Sequence, residues 1–104
     1  MIIINIMDFP GRKYDVLGMA KGSCVQSKNI GKDIGASFKT IVGGELKGYT
    51  EMLMEAREIA TSRMVAEAEE LNADAVIGVR YTTSGIMQGA AEVTAYRTAI
   101  KFLD

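Results

Sequence analysis

The chain contains no histidine and only one cysteine, Cys24. Without imidazole, Ser-His and Cys-His nucleophile pairs, His-ligated zinc and facial-triad iron sites are all excluded. A lone thiol cannot form an internal disulfide, nor can it close a tetrahedral soft-metal site within one chain. This scarcity fits a reducing cytoplasm better than a secreted scaffold. A basic excess is also missing, since twelve Lys and Arg stand against thirteen Asp and Glu. Neutralising a phosphate backbone demands such an excess, so nucleic acid is not an expected partner. No apolar run approaches the roughly 20 residues that a membrane span needs. The opening MIIINIM lacks a basic leader and a following cleavage site, so neither a membrane nor a signal peptide is expected. There is no internal repeat, low-complexity tract or interdomain linker.

What remains is a chain of 104 residues, 48% apolar and 24% charged, which suits one globular domain spanning 1–104. A domain of this length has a modest core, and self-association would add to its stability. Charge is uneven along it. Lys28 to Lys47 is mildly basic, whereas Glu51 to Glu70 carries six Glu against Arg57 and Arg63. A solvated helix face accounts for that acidity, and steering of one subunit towards another is the alternative.

Ile2, Ile3 and Ile4 form a β-branched run too short for a helix, closed by the Pro10-Gly11 turn. Tyr14 to Val25 reads as a bent strand, in which Gly18 and Gly22 signal a bulge or the close approach of another backbone. Ile30, Ile34, Phe38 and Ile41 fall at helical spacing on a short helix weakened by Gly31 and Gly35, and Gly43-Gly44 stop it as a turn or pivot. Leu53, Ala56, Ala60, Met64, Ala68 and Leu71 then mark the seam of a long helix starting near Tyr49. Asn72 suits a left-handed helix exit, and Ala75-Val76-Ile77-Gly78-Val79 follows as a strand. Thr82 to Gly89 is rich in turn formers, and Ala91 to Phe102 supplies a hairpin partner.

The pattern predicts an α+β domain of β-α-β-β type: a two-layer sandwich with one long helix on an antiparallel sheet. A short extra helix and a short N-terminal strand complete it. Ala75 to Val79 is apolar in both directions, whereas a sheet facing water alternates apolar with polar. A second cover is therefore expected over that strand. It is either the Ile30/Ile34/Phe38/Ile41 helix or a neighbouring subunit meeting those residues as an interface.

Catalytic motifs do not reach threshold, so the expectation is a protein without turnover. A cleft bringing Tyr81 or Tyr96 beside Arg80 and Glu92 would argue otherwise. Glu51, Glu55 and Glu58 share one helix face, where a straight row suits solvent better than a wrapped calcium ion. Arg57 and Arg80 could clamp an acidic ligand or pair with Glu. Gly43-Gly44 lacks the surrounding pattern of a phosphate loop. The seven Met serve first as core filler. Cys24 is a small buried hydrophobe in its plainest reading. Around the axis of a closed ring, however, one thiol per subunit becomes several, and with Met19 or Met87 they would suit copper(I).

Thr40 to Ala60, TIVGGELKGYTEMLMEAREIA, and Ala66 to Tyr81, AEAEELNADAVIGVRY, resemble the YbjQ family of small uncharacterised proteins, sometimes labelled heavy-metal-binding. The IVGG turn, the Tyr49 start, the Ala56-Arg57 pair and the helix-to-strand junction carry the resemblance. It implies a dodecin-like subunit that assembles into a homo-oligomeric ring, with a pentamer favoured. Glu45-Leu46-Lys47-Gly48, and Tyr96 with Arg97, depart from the family pattern. The functional expectation is a ring-forming binder of a soft metal or small ligand; a scaffold displaying the acidic helix face is the alternative.

Overall fold

The computed structural model describes residues 1–27, 41–42 and 45–104. Its elements are β1 (Ile2–Ile3), β2 (Tyr14–Ser27), β3 (Ile41–Val42), β4 (Glu45–Leu46), α1 (Lys47–Glu70), β5 (Ala75–Met87) and β6 (Ala90–Phe102). The main sheet has the order β1-β5-β6-β2, and β3 pairs with β4 apart from it. The long helix lies on this sheet as the α+β reading requires. The sheet is antiparallel except at its edge, where β1 runs parallel to β5.

The helix and β2 meet with almost no side chain between them. Ala56, Ala60, Met64 and Ala68 are buried along α1, facing Ala20, Cys24, Val93, Ala95 and Ala99 of the sheet, and Met52 is buried one turn earlier. At the centre sits Gly22. A Cβ built there would collide with the backbone nitrogen of Met64 and the carbonyl oxygen of Ala60, and would lie 2.7 Å from the carbonyl carbon of Arg63. The close backbone approach that glycine in this strand foreshadowed is thus between strand and helix. Gly18, at φ 135°, marks the register shift that bends β2 between Val16 and Gly18. Of the expected helix seam, Leu53 is only half-buried and Leu71 falls beyond the helix end, while Met52 joins the core. The buried positions recur every four residues, so the contact line winds slowly round the helix and takes in Met52.

Asn72 ends α1 in the left-handed conformation, at φ 62°. The Ala73 amide donates to Ala68 O and the Asn72 amide to Glu69 O, each at 3.0 Å, which is the double closure of a Schellman motif. Asp74 then ties the junction to the last strand. Its amide donates to Ile100 O at 2.8 Å, and its carboxylate accepts from the Phe102 amide at 2.8 Å.

Among the described residues, the cover over the start of β5 is a segment that the sequence pattern did not name. Ala75, Ile77 and Ile100 pack with Ile4, Phe9, Tyr14 and Phe102, so the N-terminal segment of the same chain closes that face. Backbone bonds hold it there: Ile4 N to Val76 O and Val79 N to Ile4 O at 3.0 Å, and Gly78 N to Ile6 O at 2.7 Å. Gly78, at φ 68°, lies in a bulge between Ile77 and Arg80. The extra residue restores Val79 to the helix face that Val76 occupies, although the two are three apart. Arg80 Nη1 donates to the carbonyls of Asn5, Gly78 and Val79 at 2.8, 3.3 and 3.0 Å, pinning the segment to the bulge.

Two further expectations change. Thr82 to Met87 is strand, not turn, because Thr82, Thr83 and Ile86 favour extended backbone and β6 pairs with them up to Ala90. Ile41 lies in β3, opposite Leu46, so a helical stripe cannot run through it. Ile30, Ile34 and Phe38, with the short extra helix they predicted, and the Gly43-Gly44 pivot fall outside the described residues.

Gly22→Ala should destabilise the protein by about 1–3 kcal/mol in urea denaturation, because backbone atoms cannot yield to the added methyl. Gly85→Ala, where nothing lies within 4 Å of the added carbon, should leave the midpoint nearly unchanged. The Tyr14 hydroxyl donates to Asp8, and this bond holds its pKa above 10.0, aided by desolvation and the Asp8 charge. The neutral phenol is the form bound in the fold, so this contribution is present below the unfolded pKa and lost as pH rises through the folded one. An alkaline NMR titration should show Tyr14 ionising above the free phenol, and Asp8→Asn should lower its midpoint.

Candidate functional site

Because α1 seats against β2 and β6, the far half of β5 has no helix above it among the described residues. Every residue from Arg80 to Met87 is exposed, whereas every residue from Ala75 to Val79 is buried. Between the flank of α1 and this strand runs a groove of about 540 Å³, lined by Met54, Arg57, Glu58, Thr61, Ser62 and Tyr81. The helix supplies all of these but Tyr81, at the i, i+3, i+4, i+7 and i+8 offsets that bring side chains onto one flank.

A proton chain fixes the groove's floor. Thr61 Oγ1 donates to Arg57 O at 2.7 Å, which uses its only hydrogen. The 2.8 Å contact between Thr61 Oγ1 and Tyr81 Oη therefore has Tyr81 as donor. With that proton committed, Tyr81 Oη can only accept from a ligand. The Arg57 and Glu58 side chains make no hydrogen bond or ion pair with the described residues. Tyr81 is 46% exposed and Met54 51%, so polar and apolar surface both face the opening.

Other sequence-nominated residues are spent elsewhere. Arg80 is committed to three carbonyls of the bulge and the N-terminal segment, and Tyr96 stands beside it in the sheet register. Glu92 pairs with Ser84 and Val25, so it stands four residues along the strand from the rung that Arg80 and Tyr96 share. Arg63, on the helix, donates from Nη1 to Ser23 O at 2.7 Å. Glu51, Glu55 and Glu58 are all exposed, as the row on a solvated face predicted.

Cys24 is 5% exposed and packs in the core beneath α1 with Ala56, Ala60 and Val93. Met19 lies an odd number of residues away in the same strand, so it projects from the opposite face and is exposed. Met87 stands near the hairpin tip, also exposed. Among the described residues no group of three His, Cys, Asp or Glu side chains converges as metal ligands would. Among the described residues no helix is long and apolar enough to cross a membrane.

The family model described as "Putative heavy-metal-binding" matches residues 1–103. The chain belongs to the YbjQ family. It is 58% identical over 103 residues to a UPF0145 protein of Clostridium novyi, covering 99% of this chain and 100% of that one. Against a UPF0145 protein of Thermotoga maritima it is 59% identical over 102 residues, covering 97% and 96%. The crystal structure of a DUF74-family protein of unknown function from Pediococcus pentosaceus superposes with a TM-score of 0.65 at 18% identity, over 98% and 97% of the two chains. That likeness establishes the fold. The donors described within one YbjQ chain do not fit the heavy-metal description, because its single thiol faces a packed apolar layer.

The groove was only partly legible in advance. The sequence offers Arg57 and Tyr81 as members of different arrangements. Their meeting depends on how far the helix is displaced towards β2, which periodicity does not encode. A thiol-reactive reagent should label Cys24 slowly in the native protein and rapidly in urea, with native labelling at least about tenfold slower given its burial.

Proposed function

We propose that this YbjQ protein is a non-catalytic, homo-oligomeric binding protein that holds a small molecule in the groove between α1 and β5. The observation that carries this reading is the set of polar groups there that have no partner among the described residues: the Arg57 guanidinium, the Glu58 carboxylate and the acceptor side of Tyr81. Buried or paired groups stabilise a fold; unpaired ones beside a cavity of this size are suited to a ligand. Assembly into a ring is supported by the exposed Met19, Val25, Ile86 and Met87, which leave the sheet arm with more apolar surface than a monomer needs. A pentameric ring in the cytoplasm is the form we infer.

The family description favours a second ligand, a soft metal such as copper(I). A site of Cys24 thiols around a ring axis would require that side chain to leave its packing beneath α1. The groove needs no such rearrangement, so the small-molecule reading is preferred.

Native mass spectrometry of reduced protein, with and without copper(I), tests both readings. A closed ring that takes up no stoichiometric copper is the expected result. A monomer at micromolar concentration would overturn the assembly, and copper uptake lost in Cys24→Ser would establish the metal reading instead.

A further inference from the structure

The electrostatics of the groove restrict what can occupy it. Its acceptors are the Glu58 carboxylate and Tyr81 Oη, whose own proton is given to Thr61. Its charged donor is the Arg57 guanidinium, which presents a planar fork matched to a carboxylate. Glu58 and Arg57 are consecutive on the helix and form no ion pair with each other. A simple anion would satisfy Arg57 but be repelled by Glu58, and a simple cation would meet the reverse. A molecule carrying both charges satisfies both poles, and complementarity of this kind governs specificity. Met54, at the groove's edge, offers an apolar wall for the rest of such a molecule.

We propose that the groove binds a small zwitterion, with its carboxylate on Arg57 and its ammonium on Glu58 and Tyr81 Oη. This rests on the groove being the ligand site of the binding protein proposed above. Free α-amino acids with an apolar side chain are the simplest members of the class. Thr61 is a positioning residue, because it fixes the direction of the Tyr81 hydroxyl without touching the ligand's charges. Ser62 adds a hydroxyl at the same rim.

The test is an NMR titration of the full-length, isotope-labelled protein with L-leucine, and separately with acetate and with methylammonium. Leucine should shift the Thr61 and Tyr81 signals saturably, while acetate and methylammonium bind at least about tenfold more weakly. Arg57→Gln and Glu58→Gln should each weaken leucine binding by about tenfold, the loss of one charge-assisted contact. Both positions are exposed, so the variants should fold, as matching amide spectra would verify. Leucine binding no tighter than acetate, or unaffected by both substitutions, would overturn the proposal. Native mass spectra of the same samples separate the two readings. Leucine binding to a monomer would preserve this inference and remove the ring; an intact ring without leucine binding would overturn the zwitterion and leave assembly standing.

Discussion

The fold depends on one contact between backbones. Gly22 lets α1 settle until the Ala60 carbonyl and the Met64 amide stand where any other residue would place its side chain. The alanines on either side, Ala56, Ala60 and Ala68 on the helix and Ala20, Ala95 and Ala99 on the sheet, keep the layers close along their length. Small residues give little apolar area each, so cohesion comes from many close-packed atom pairs more than from a few large side chains. The larger Met64, Val76, Val93 and Ile100 fill the remaining space. Anchoring at Gly22 also decides the helix's lateral position. It covers β2 and β6, and among the described residues the second half of β5 is left open.

That displacement makes β5 two strands in one. Near its start it is enclosed, by α1 through Val76 and Val79 and by the N-terminal segment through Ala75 and Ile77. The bulge at Gly78 makes this possible, since it corrects the alternation so that both valines reach the same side. Past Arg80 neither α1 nor the N-terminal segment covers the strand, and Tyr81 becomes a wall of the groove. Site and core are therefore consequences of the same helix placement.

Much of this was written in the sequence. Periodicity located α1, Asn72 marked its exit, and Gly18 and Gly22 signalled a bend and a close approach. The two-sided apolarity of Ala75 to Val79 rightly demanded a second cover, but it could not name one. Ile2 to Ile4 looks like an ordinary short strand, and nothing local shows that its continuation through Phe9 folds onto β5. In Thr82 to Met87 the Ser and Gly suit turns, while the long pairing with β6 that keeps the segment extended is a tertiary effect. The groove was least legible. Arg57 and Tyr81 are 24 residues apart in sequence, and their proximity follows from helix placement alone.

The uneven enclosure of β5 also implies that the protein does not open as a unit. Amides at the root of the strand are shielded by two layers and bonded to the N-terminal segment on one side and β6 on the other, so their exchange with solvent requires nearly global unfolding. Those beyond Arg80 have a partner strand on one side and water on the other among the described residues. The arm can therefore breathe while the base stays shut. A ligand or neighbour seated on the arm would slow its exchange more than that of the core.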